Sequence, residues 1–172
     1  WSLTGNAGTN PTSNFIGTTD EQPLLFKVAN GVAGQIQYSN YNTSFGRGTL
    51  EHTEVDGNLG NQNTAFGNGA LYRNTSGYSN TAQGFDALIL NTSGFLNTAT
   101  GTSALQTNTT GFGNTGIGQN ALSLNATGNE NTALGGLALY TNNTGSSNTA
   151  VGTASLKFNQ ADNNTAVGYS AL

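Results

Sequence analysis

The chain has 172 residues, enough for one domain, yet only 34% are hydrophobic and 7% charged, against about 45–50% and about 25% in ordinary globular domains. A net charge of -4, with four Lys or Arg against eight Asp or Glu, leaves no basic patch and argues against nucleic acid as a partner. The absence of Cys excludes a disulfide framework and a thiolate metal site, and no apolar run approaches the roughly 20 residues of a membrane-spanning helix. Disorder is the usual outcome of so few large apolar residues, but it normally comes with high net charge or many prolines. Here there are two prolines and 25 glycines among abundant Asn, Thr and Ser, which reads as an ordered repeat.

Residues 1–41 form a non-repetitive opening, expected to be a small β collar. The stretch "WSLTGNAGTN" lacks the basic start and apolar core of a signal peptide. Because it begins at Trp1 without Met, the segment is read as a piece of something longer. "PLLFKV" and "AGQIQY" are strand candidates on either side of Ala29-Asn30-Gly31, and Asn-Gly is the strongest short hairpin signal. Such a hairpin would cover the edge on which the first coil stacks.

Residues 42–172 repeat. Near-copies of "NTAVGYSAL" are anchored at Asn63, Asn80, Asn97, Asn114, Asn131 and Asn148, an unbroken period of 17. A final copy follows at Asn164, one residue early. A weaker one, "NTSFGRGTL", starts at Asn42, and four inserted residues separate it from the Asn63 copy. A fixed period of this size signals a solenoid or stacked array. Gly67 and its equivalents form one column and Gly77, Gly94, Gly111, Gly128 and Gly145 another, which fits two corners per unit. The pieces between corners have strand length, far short of a helix. The expected fold is therefore all-β: a parallel β-solenoid with two short strands per 17-residue coil.

Each column then has a role. Leu71, Leu88, Leu105, Leu122, Leu139, Leu156 and Leu172 make an apolar ladder beside a column of Ala. Adjacent strand residues point to opposite faces, so the Ala and Leu columns are expected on different sides, Ala on the narrow inside and Leu on an outer face. An outer leucine ladder left in water would be a large apolar patch, and packing three rods about an axis would bury it. The Asn columns, Asn63 and Asn74 with their equivalents, place like amides above one another in ladders. Sequons such as Asn74-Thr75-Ser76 recur because the repeat does, and carry little weight as glycosylation sites.

No active site and no cofactor are expected, because the charged residues beyond Gly57 are scattered over different coils and phases. "EHTEVD", with the only histidine, His52, brings together donor types that a cation takes, but reads first as a solvated loop. Candidate surface binding residues lie in the variable columns. Tyr78, Phe95 and Phe112 share one phase, Phe85 follows the first glycine of its unit, and Tyr72 and Tyr140 follow leucines. The first reading of the Tyr78 stripe is packing, and docking of sugars or protein edges is the alternative.

The units "NTAVGYSAL", "NTAFGNGAL" and "NTALGGLAL" resemble the repeats of trimeric autotransporter adhesin (YadA-like) heads, where Asn-Ser/Thr-x-x-x-Gly recurs. The resemblance covers about Asn42 to Leu172. It implies a left-handed β-roll, a homotrimeric rod, an extracellular or cell-surface location, and attachment to glycans or proteins of a target cell. The family's usual coil is shorter than this one. The opening is similar to segments that precede such repeats in bacterial surface proteins and phage-tail-like fibres, so a tail-fibre segment is the alternative function. Ice binding by the Thr64, Thr81, Thr98, Thr115, Thr132 and Thr149 column is a third reading.

Overall fold

The computed structural model describes residues 10, 16–51 and 60–172. Among the described residues ten strands form one sheet in chain order. Strands β1 (Leu24–Val28) and β2 (Gly31–Ile36) are an antiparallel hairpin, and β2 pairs antiparallel with β3 (Thr43–Phe45). From β3 onward every pairing is parallel and in register: β4 (Thr64–Phe66), β5 (Thr81–Gln83), β6 (Thr98–Thr100), β7 (Thr115–Ile117), β8 (Thr132–Leu134), β9 (Thr149–Val151) and β10 (Thr165–Val167). Thr stacks on Thr and Ala on Ala, with Ser44 and Gly116 the exceptions in the Ala column. The protein is a parallel β-solenoid of 17-residue turns. No described helix is long and apolar enough to cross a membrane.

The hairpin follows its turn chemistry. Val28 pairs with Gly31, leaving Ala29 and Asn30 as a two-residue loop with φ of 48° and 64°. Positive φ at both central residues is the type I′ condition, which matches strand twist.

Among the described residues each coil carries one strand of three residues, not two. The side expected to hold the second strand runs through a different backbone. In the second coil Gly67, Gly69 and Leu71 have φ of 126°, 73° and 52°, while the residues between them are not left-handed. The same alternation recurs at Gly84, Asp86 and Leu88, and at Gly118, Asn120 and Leu122. It divides the hydrogen bonds. Ala70, Tyr72 and Asn74 donate to carbonyls three residues back (Gly67, Gly69 and Leu71), closing overlapping turns. Leu71 and Arg73 donate instead to Ala87 and Ile89 of the next coil. A strand would send its bonds outward to neighbouring strands, and half of these close within the coil.

This backbone also relocates the leucines. Leu71, Leu88, Leu105, Leu122 and Leu139 are fully buried within the single chain, together with Ala65, Ala70 and their equivalents. The expected outer leucine seam is therefore internal. The alternation rule for strands does not apply where Leu is left-handed, and the reversal brings Leu to the same interior as the Ala before it. Left-handed backbone costs a non-glycine residue roughly 1–2 kcal/mol. Burying a leucine contributes about 1.5–3 kcal/mol, so burial holds the conformation. Leu156 is also buried, and Leu172, the last residue, is exposed.

Two amide ladders complete the interior. Asn80 Nδ2 and backbone N–H both donate to Asn63 Oδ1, at 3.2 and 3.0 Å, and the pattern repeats up to Asn164. In the other ladder Asn91 Nδ2 donates to Asn74 Oδ1 at 2.8 Å, and Asn108 to Asn91 at 2.9 Å. Each ladder also donates to the glycine corner between them: Asn80 and Asn91 reach the Gly94 carbonyl at 2.8 and 3.0 Å. The shortened final repeat keeps this arrangement with Ala161 in the corner, accepting from Asn148 at 2.8 Å and Asn159 at 2.7 Å. Asn74 and Asn91 are fully buried, so their sequons are closed to modification in the folded chain.

Asn97→Ala removes the acceptor for both Asn114 donors and one donor to the Gly111 carbonyl. Each buried group left unpaired costs about 1–3 kcal/mol, so the urea midpoint of this variant is expected to fall clearly. A paired glycine test isolates close approach. A Cβ on Gly94 would stand 2.5 Å from the Gly111 carbonyl oxygen, whereas one on Gly136 has its nearest neighbour at 3.7 Å. Gly94→Ala is expected to lower the melting temperature sharply and Gly136→Ala hardly at all; equal effects would contradict this account.

Candidate binding surface

With Asn, Ala, Leu and the corner glycine turned inward, function must rest on the outward columns. The first is the strand face. On either side of the buried central residue of each strand stand a Thr and a variable residue: Phe45, Phe66, Gln83, Thr100, Ile117, Leu134, Val151 and Val167. Neither column contains a charged residue. Phe66, Ile117 and Val167 are 38%, 42% and 71% exposed, so the face is both apolar and open. At its hairpin end Phe26, Phe45 and Phe66 form an aromatic run, with ring centroids 5.0 and 5.5 Å apart. Sequence reasoning named the Thr column of this face but missed the variable column beside it. Phe45 and Phe66 share a repeat position, which was a usable signal, but Phe26 lies outside the repeat.

The second surface is the Tyr78 stripe. Tyr78, Phe95 and Phe112 stack with centroids 4.9 Å apart at both steps and nearly parallel planes, 6° and 4°. That spacing is the coil-to-coil distance of a parallel stack, about 4.7–4.9 Å. Farther along, the same column becomes polar. Asn129 Oδ1 accepts from the Phe112 N–H at 3.0 Å, Ser146 Oγ from the Asn129 N–H at 3.1 Å, and Asp162 Oδ1 from the Ser146 N–H at 2.7 Å. The stripe thus joins consecutive coils by two devices, ring stacking and then side-chain acceptors. Phe85 stands apart on another corner, 53% exposed, and Tyr72 and Tyr140 are half-buried in one column on well-separated coils.

A third feature lies on the flank of the first coils. Arg47, Gly48 and Glu51 of the first coil, Asn68, Gly69 and Tyr72 of the second, and Asp86 and Ile89 of the third surround an open hollow of about 440 Å³. Desolvation raises the Asp86 carboxyl above its ordinary value. Among the described residues no group of three or more His, Cys, Asp or Glu is placed to hold a metal ion. Of "EHTEVD" only Glu51 is described, and the cation reading of that stretch falls outside the described residues.

No family model matches the chain, and comparison with curated proteins and solved structures likewise finds no match.

The Asp86 shift has a sign. The folded chain binds that proton more tightly than the unfolded one, so its contribution to stability is complete below about 3.8 and is lost as pH rises through the raised folded value. Asp86→Asn removes the dependence and suits the left-handed φ of 56°. Melting curves are expected to coincide at pH 3 and to favour the Asn variant at pH 7. A variant less stable at pH 7 would reverse the assignment.

Proposed function

We propose that this chain is a non-enzymatic rod segment of an extracellular attachment fibre, built as a homotrimer in the manner of the trimeric autotransporter adhesin heads that its repeats resemble. The observation that carries the reading is the continuous, uncharged strand face along a uniform parallel stack. Eight coils at about 4.8 Å give a stiff body of roughly 35 Å, suited to holding a contact site away from its anchor. The leucine ladder is enclosed in its own chain, so the seam between subunits falls to the outer strand column instead. Ile117, Leu134, Val151 and Val167 are four consecutive aliphatic residues in that column. Charges stand on the remaining faces, at Arg47, Glu51, Arg73, Asp86, Glu130, Lys157 and Asp162. Burial of an exposed apolar strip against copies of itself is the common solution for such a surface. Three copies per fibre raise the effective concentration of weak contacts, which is the mechanism of attachment in this reading.

The fibre belongs to a cell surface in this proposal; tail sheath and baseplate genes beside this one would transfer it to a phage or injection-machine tail. One further observation favours a different reading. The Thr column from Thr43 to Thr165 is in unbroken register on the strand face, a regular hydroxyl array of the kind an ice-binding surface needs. Thermal hysteresis at high protein concentration would support that reading against the fibre.

Light scattering of the chain in solution is expected to give three times the single-chain mass of 17.6 kDa. Leu134→Lys, on the strand face, should release monomers that keep the β-type circular dichroism spectrum, while Gln106→Lys on another face should not. A parent chain of one-chain mass would overturn the trimer.

A further inference from the structure

The flank hollow is built by an exception in the repeat. At the seventh position of each unit later coils carry Asp86, Ser103, Asn120 and Leu137, but the first two carry Gly48 and Gly69. Two missing side chains open the space, and the groups above and beside it turn toward it. Tyr72 Cδ2 and Glu51 Oε2 stand 3.4 and 3.5 Å from where a Gly48 Cβ would be, and Asp86 Oδ1 stands 2.5 Å from the corresponding point over Gly69. A second hollow, also about 440 Å³, shares Arg47, Gly48 and Glu51 and continues to Gln35 and Gln37 near the hairpin. The result is an elongated groove, within the range of small-ligand clefts of about 300–1,000 Å³.

We propose that this groove binds a neutral saccharide; the inference rests on the attachment reading and supplies its contact site. Glu51 and Asp86 accept hydrogen bonds from sugar hydroxyls, and Arg47 and Asn68 donate to them. Tyr72 offers an aromatic edge for the apolar C–H side of a pyranose. Arg47, Glu51 and Asp86 all line the same open hollow, so charged groups of both signs face one space. Two carboxylates against one guanidinium leave the groove net negative, which disfavours phosphates and acidic sugars.

The test is a nitrogen-15 NMR titration of the whole chain with methyl glycosides of glucose, galactose and mannose, and with galacturonate as the charged comparator. Shifts confined to residues 47–51, 68–72 and 86–89 for at least one neutral glycoside, weakened about tenfold or more by Tyr72→Ala, are expected. Glu51→Gln should weaken binding with the spectrum otherwise intact. No shift at tens of millimolar, a stronger response to galacturonate, or shifts at Tyr78, Phe95 and Phe112 instead would overturn the site. A monomeric chain that still shows the groove shifts keeps the site and removes the trimer, whereas a trimer without them does the reverse.

Discussion

Each coil is closed by an inward-pointing carbonyl. At Gly77, Gly94, Gly111, Gly128 and Gly145 the peptide oxygen faces the interior and accepts two amide protons, one from each asparagine ladder. One of those asparagines opens the strand and the other ends the turn segment, so a single oxygen ties the two sides of the coil together. The side-chain oxygen of the first ladder then reaches the next coil. Within-coil closure and coil-to-coil register are thus one network, and shifting the chain by one residue would strand two buried amides per unit. Such groups are costly to leave unpaired, which makes the network more decisive for register than for net stability.

The glycine requirement follows from the same oxygen. A Cβ at this corner would strike the neighbouring glycine's carbonyl and the asparagine amides, so the constraint is close approach. At the other corner, Gly67 and its equivalents, positive φ and close approach coincide. Two glycine columns that look alike in sequence therefore have different causes.

The period, the two corners, the amide ladders and the parallel stacking were legible because each is written as identity at a fixed spacing. The conformation of the Gly67–Asn74 segment was not. Positive φ is usually signalled by glycine, but here Leu71, Leu88, Leu96 and Glu130 adopt it with nothing local to announce it. Their conformation is imposed by inter-coil hydrogen bonds and, for the ladder leucines, by burial, which exist only once coils are stacked. Assigning that segment to a strand turned the ladder leucines outward, whereas they are buried within the single chain. The groove was illegible for a related reason: Gly48 and Gly69 were visible as letters, but the space they leave is defined by side chains of two other coils.

Because the interior is built mainly from Asn, Ala, Leu and Gly, with Ser at Ser44 and Ser155, the outward columns are released from folding. Tyr78 is replaced by Phe95, Phe112, Asn129, Ser146 and Asp162 in one column while the core beneath keeps its contacts. The aromatic members stack at the coil spacing and the polar ones satisfy the N–H below, so either chemistry serves the frame. A solenoid of this kind separates a constant scaffold from a variable surface at the resolution of single residues. Local departures from the repeat, such as paired glycines at a position that elsewhere bears side chains, are then where a specific site can arise without disturbing the stack.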